Sequence, residues 1–143
     1  MTPEEQSIID AMITDPAVRQ RVAPASFAWF FPTYFSHYLK YETAPFQKEM
    51  LRIAEDETSR LAVILAFRGS AKSTIVSLAF PIWSIIGRPA RKFPLILTET
   101  KEQARIIMAN IRNELEHNEM LKRELGPFQE DDQWGAMSIV IPK

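Results

Sequence analysis

Apolar residues recur along the chain in two different rhythms. In "TPEEQSIIDAMIT" they fall at Ile8, Ile9, Met12 and Ile13, a spacing that predicts one face of a helix. Thr2 is placed to cap it, Pro3 takes the first helical position, and Glu5 completes a capping box. Asp15-Pro16 breaks this helix and starts another short one. "APFQKEMLRIAEDE" predicts a helix begun by Pro45. "TKEQARIIMANIRNELEHN" predicts a long amphipathic helix, capped by Thr100 and Gln103, with Ala104, Ile107, Ile111 and Leu115 on its core face. "NEMLKRELG" predicts a shorter helix ending at Gly126.

The other rhythm is continuous. "RLAVILAF" (60–67) and "FPLILTE" (93–99) are unbroken apolar runs, which predict buried strands of a parallel sheet, and "SIVIP" predicts a late strand. Between the first two runs the pattern predicts a helix over 72–86, bent or ended near Pro81 and closed by Gly87 and Pro89. Strands alternating with helices predict an α/β fold. "SFAWFFPTYFSHYL" is dense in aromatic rings but lacks interleaved basic residues. A helical layer packed on the main sheet therefore fits it better than a base-stacking surface.

Composition narrows the classes. Seventeen Lys and Arg against eighteen Asp and Glu give a net charge of −1, so no global basic field points to nucleic acid. There is no cysteine, and the two histidines, His37 and His117, lie far apart, which excludes a disulfide framework and gives no metal cluster. The longest apolar stretch, "TIVSLAFPIWSII", is too short to span a bilayer, and the N-terminus is not a secretion signal. A soluble protein without a membrane partner is predicted.

Chemistry concentrates in "AFRGSAKST" (66–74), set between a predicted strand and a predicted helix. The phosphate-loop pattern G-x-x-x-x-G-K-[ST], aligned on Lys72, puts Ala66 and Ala71 where glycines usually stand. Backbone amides from Gly69 to Ser73 would face a phosphate, Lys72 would reach the β and γ phosphates, and the Ser73 hydroxyl would hold Mg²⁺. If Ala71 must take a left-handed conformation, the cost is about 1 kcal/mol; Gly69 then supplies the sharp turn. Arg68 lies inside the loop, where it either stabilises γ-phosphate charge or is a surface arginine. Gln47 is a candidate for pairing with adenine N6 and N7, against a plain helix-surface glutamine. The bland alternative for the whole segment is a strand-to-helix connection with a solvated lysine.

Taken together, "APFQKEM", "AFRGSAKST" and "LILTETKEQARIIMANIRNELEHNEMLKRELG" resemble the N-terminal ATPase region of the large terminase subunit of tailed phages, the motor that packages DNA. The similarity runs from about Phe27 to the last residue. It implies a partial RecA-like P-loop NTPase: a parallel sheet with helices on both faces, over 45–143, behind a helical, aromatic-rich layer over 1–44. It implies ATP and Mg²⁺ as cofactors. Gln47 would contact adenine, and Gly69, Ser70, Ala71, Lys72, Ser73 and Thr74 would cradle phosphate, with Arg68 the loop's basic residue and Ser73 the magnesium ligand. Arg68 and Lys72 would be the catalytic pair. For the full-length motor it implies double-stranded DNA, a portal protein and a small terminase subunit as partners, in the cytoplasm of a bacterial host. Hydrolysis also needs an acidic (Walker B) strand. Glu99 at the end of "LILTE" is the nearest match, but Thr98 stands in the place of the magnesium aspartate, and Asp131 and Asp132 follow no apolar strand. The expectation is a chain truncated before the acidic strand that binds ATP without hydrolysing it. A remnant that no longer binds nucleotide, and a fragment of a helicase-type ATPase, are the alternatives.

Overall fold

A computed structural model describes residues 2–88, 90, 91, 93–128 and 134–141. Its elements are helices: α1 Pro3–Thr14, α2 Pro16–Val22, α3 Phe27–Tyr34, α4 Pro45–Glu55, α5 Phe80–Ile86, α6 Lys101–His117 and α7 Glu119–Leu125, with short 3₁₀ turns at Ala23–Ala25 and Ser36–Tyr38. The caps explain where most of them begin. Thr2 Oγ1 accepts from the Glu5 amide while Glu5 returns a carboxylate to the Thr2 amide. Asp15 caps α2 through the Ala17 amide. Thr100 accepts from the Gln103 amide at the start of α6. Asn118 ends α6 and starts α7, its side chain accepting from the Leu121 amide at 3.1 Å. Each satisfies one of the orphan donors of a helix start.

The expected α/β sheet is not there. Among the described residues no strand and no sheet forms; the one ladder contact is an isolated antiparallel bridge between Trp134 and Ile139. The partial P-loop NTPase architecture with a parallel sheet is therefore corrected to a helical fold. Segments 61–67 and 93–98 form neither helix nor strand, against what their apolar runs predict, and no strand lies beside either of them. Extended backbone is a local preference, whereas a ladder needs a partner that the described residues do not supply. Nor are they fully buried: Leu61, Val63, Leu65, Phe93 and Leu97 are largely exposed. "SIVIP" contributes only the Ile139 bridge, and its Pro142, like Pro89, Asp131 and Asp132, lies outside the described residues.

The aromatic segment supplies the core. Phe27, Phe30, Phe31, Tyr34 and Phe35 are all at most 1 % exposed, which leaves no ring of that group free to stack on a base. They pack on a helix, not on a sheet: Phe27 meets Phe80 at 5.5 Å and Trp83 at 5.3 Å between ring centroids. Trp83 also donates its indole N–H to the Pro24 carbonyl. Met50 and Leu51 of α4 and Ile111 and Leu115 of α6 complete the cluster. The predicted apolar face of α1 is buried only at Met12; Ile13 is 71 % exposed.

The chain is helical without a break over 72–86, passing through Pro81 instead of ending there. The reason is a π-helical stretch, Thr74–Ala79, in which the Phe80 amide reaches back to the Ile75 carbonyl. A proline ring collides with the carbonyl four residues before it in an ordinary α-helix. The wider π turn relieves that collision, so the helix continues to Gly87.

Two buried carboxylates tie the helices together. Glu124 of α7 accepts from Arg19 at 2.5 Å and from the Tyr34 hydroxyl at 3.0 Å, while Arg19 also donates to the Met12 carbonyl at 2.6 Å. Burial alone would raise the Glu124 carboxyl, but the Arg19 and Tyr34 hydrogen bonds outweigh it and hold the group below its ordinary range. Glu114 of α6 accepts from the Tyr38 hydroxyl at 2.6 Å and from Asn118 Nδ2 at 3.1 Å, with His37 Nε2 at 3.1 Å. Burial, then the Glu114 bond, pushes the Tyr38 hydroxyl up to about 12.

Candidate functional site

The loop joining segment 60–67 to the helix that starts at 72 has a shape that its sequence makes expensive. Gly69 has φ +87° and Ala71 has φ +64°. The second value is the costly one, because a Cβ in the left-handed region crowds the following carbonyl by about 1–2 kcal/mol. Strain of this kind persists only where the surroundings enforce it. Three contacts do so here. The Ser70 amide donates to the Phe67 carbonyl at 3.3 Å. The Ser70 carbonyl accepts from Gln47 Nε2 at 3.2 Å. The Ile75 amide closes the first helical turn on the Ala71 carbonyl at 2.9 Å.

These contacts leave donors unused. Among the described residues, the amides of Gly69, Ala71, Lys72, Ser73 and Thr74 make no hydrogen bond. A helix start with open amides after left-handed residues is a concave donor set suited to an anion. Lys72 folds across it, with Nζ donating to the Ala66 carbonyl at 3.2 Å. Ser70 is 2 % exposed and its hydroxyl has no partner, a buried polar atom that protein contacts leave unsatisfied. Ser73 and Arg68 are exposed, and Arg68 makes no ion pair among the described residues.

Of the residues singled out by sequence, Gln47 and 66–74 come together. Gln47 is held at both ends of its amide: Oε1 accepts from the Ala44 amide at 2.9 Å and Nε2 holds the loop. It acts as a strut between α4 and the loop, a role that spacing alone did not suggest. The buried Ser70 hydroxyl was equally unforeseen, since burial of one serine in a polar loop leaves no mark in the sequence. Glu99 is exposed and forms no hydrogen bond or ion pair with Lys72 or Ser73, and Thr98 spends its hydroxyl on the Thr100 carbonyl at 2.7 Å. Among the described residues no group of three or more His, Cys, Asp or Glu is placed to hold a metal ion, and no helix is long and apolar enough to cross a membrane.

The open loop amides and Lys72 have the chemistry a phosphate group needs, and the exposed Ser73 hydroxyl is of the kind that can take one ligand position of a hydrated Mg²⁺. No protein-family model matches the chain, and no curated protein and no solved structure matches it.

Proposed function

We propose that loop 66–74 binds the phosphates of Mg-ATP, and that the chain is the ATP-binding portion of a terminase-type DNA-packaging motor that does not hydrolyse ATP by itself. The observation that carries the reading is Ala71 at φ +64° beside a row of unbonded amides. A connection with no ligand to serve gains nothing from that strain. In this reading Gly69 to Thr74 cradle the phosphates, Lys72 exchanges the Ala66 carbonyl for phosphate oxygen, Ser73 takes a place on Mg²⁺, and Arg68 faces the γ-phosphate. Gln47 keeps the loop in shape, and to pair with adenine its amide would exchange the Ala44 amide and the Ser70 carbonyl for the base. Bound Mg²⁺ would supply charge neutralisation between the phosphates. Binding without turnover rests on the sequence, in which Thr98 stands in the place of the magnesium aspartate. The motor assignment, with double-stranded DNA, portal protein and small subunit as partners of the assembled machine, rests on the sequence resemblance.

Calorimetric titration with Mg-ATP tests the reading. Lys72→Ala removes a charge-assisted contact worth roughly 1.5–3 kcal/mol and should weaken binding about 10- to 150-fold. Equal affinity for wild type and Lys72→Ala removes the loop as the site. Steady phosphate release that Lys72→Ala abolishes would contradict the lack of turnover and make Glu99 the first residue to mutate.

A further inference from the structure

The Gln47 amide is bonded to main chain on both sides. Oε1 accepts from the Ala44 amide at the start of its own helix, at 2.9 Å, and Nε2 donates to the Ser70 carbonyl at 3.2 Å. The two bonds need a carboxamide. A glutamate at 47 would accept from Ala44 but set a carboxylate against the Ser70 carbonyl, and a lysine would have no acceptor for Ala44. α4 is also braced against the chain that enters the loop, where the Phe46 and Phe67 rings meet at 5.3 Å between centroids. The bond to Ser70 therefore starts from a fixed mount.

That bond decides where an amide points. In a trans peptide the carbonyl and the next N–H face opposite ways. Gln47 draws the Ser70 carbonyl to itself, so the Ala71 N–H faces away from Gln47, and among the described residues it makes no hydrogen bond. A competing arrangement lies one rotation away. A half-turn of the peptide plane between Ser70 and Ala71 leaves the path of the chain nearly unchanged. It carries the φ of Ala71 from +64° into the extended region, where a Cβ is not crowded. The same half-turn puts the Ser70 carbonyl oxygen where the N–H had been, and that oxygen would repel an anion. Backbone strain favours the turned peptide, and the Gln47 bond opposes it.

A side chain so placed is not free to select a base. A carboxamide reads adenine through its oxygen and one N–H together. Oε1 and Nε2 of Gln47 are both in use, so turning to adenine exchanges two bonds for two and releases the Ser70 carbonyl. What is gained at the base is lost at the phosphates.

We propose that Gln47 is a positioning residue, latching the Ser70–Ala71 peptide of the phosphate loop, and that the site in consequence takes triphosphates as a class, without regard to the base they carry. The inference rests on the reading of loop 66–74 as a phosphate site and defines its ligand.

Calorimetric titration with the magnesium complex of inorganic tripolyphosphate, which has no base, separates the two roles of Gln47. Gln47→Ala should weaken tripolyphosphate, Mg-ATP and Mg-GTP by one common factor of about 2- to 12-fold, the span of one neutral hydrogen bond. Wild type should bind ATP and GTP alike, whereas a bidentate reading of adenine would separate them by about 5- to 150-fold. In the Ala71→Gly background the half-turn relieves no Cβ crowding, so Gln47→Ala should there lose less affinity for tripolyphosphate; a side chain that only stiffens α4 would lose the same in both backgrounds. Tripolyphosphate affinity that Gln47→Ala leaves unchanged, a wild-type preference for ATP of that size, or equal losses in the two backgrounds would each overturn the proposal. Lys72→Ala tells this failure from failure of the underlying reading. Affinity that falls with Lys72→Ala but not with Gln47→Ala removes only the latch. No binding of tripolyphosphate, or binding that neither variant changes, removes the loop as the site and the latch with it.

Discussion

One substitution, made at two alanines, tests the loop geometry directly. Ala71 sits at φ +64°. Replacing it with glycine removes the Cβ crowding, a gain of about 1–2 kcal/mol. It also frees the unfolded chain, a loss of about 0.4–1 kcal/mol. The net expectation is stabilisation by about 0.5 kcal/mol. Ala109 is exposed in the interior of α6, with ordinary helical backbone. There the same change relieves nothing and costs about 1 kcal/mol. The two variants should differ by about 1.5 kcal/mol, which for a chain of 143 residues separates their melting temperatures by about 5 °C. Thermal and urea melts followed by circular dichroism are sufficient to see it. The sign carries the argument more than the size, since alanine to glycine is almost always destabilising in a helix. If Ala71→Gly and Ala109→Gly lose stability equally, Ala71 is not left-handed. The case for a strained anion-binding loop then falls with it.

Other consequences follow from the same contacts. Gly69→Ala meets no atom within 4 Å, so its cost is purely conformational, about 1 kcal/mol in the same melts. Arg19→Met leaves the Glu124 carboxylate with the Tyr34 hydroxyl and with Arg123 at 3.6 Å, and should cost about 3 kcal/mol, whereas replacing Arg19 and Glu124 together with apolar residues should cost much less; a double-mutant cycle separates the two. The Glu124 carboxyl is held below its unfolded value, so its contribution is present above the unfolded pKa and is lost as pH falls through the folded one; Glu124→Gln should flatten the acid limb of a stability–pH curve. Tyr38 is shifted the other way. Its contribution is full below its ordinary value of 10 and is lost as pH rises through about 12, a decline that Tyr38→Phe should reduce in alkaline urea melts. Gln47→Ala should weaken ATP more than GTP if the amide reads adenine; an equal loss in paired titrations assigns Gln47 to holding the loop alone.

Helix starts were legible because a cap is a local event. Thr2, Asp15 and Thr100 bond amides two or three residues away, and Pro45 opens α4 for equally local reasons. The question of Ala71 was also legible, since the spacing to Lys72 singled that residue out. The sheet was misread because an apolar run reports extended backbone and a wish for cover, not what lies alongside. The aromatic segment was expected as a helical layer on a sheet; Phe27–Tyr34 is helical, but it packs on another helix, because ring composition does not name the partner, and it did not reveal that Phe27 to Phe35 would be the core. Glu114 and Glu124 left no trace at all. Each sits among charged neighbours on a helix, and its partners Tyr38, Arg19 and Tyr34 lie 76 to 105 residues away.

That last separation has a cost in time. A ribosome adds roughly 5–20 residues per second. Arg19 therefore leaves the exit tunnel about 5–20 s before Glu124, 105 positions later, can meet it. Throughout that interval α1 and α2 can pack on each other, but the Arg19 guanidinium lacks its carboxylate, and Phe27 waits for the Phe80 and Trp83 rings of α5, more than forty residues behind. A nascent chain holding its largest rings uncovered for seconds is a ready client for a ribosome-associated chaperone. Its yield in a cell should depend on translation speed between Phe35 and Glu124 more than on the final stability of the fold.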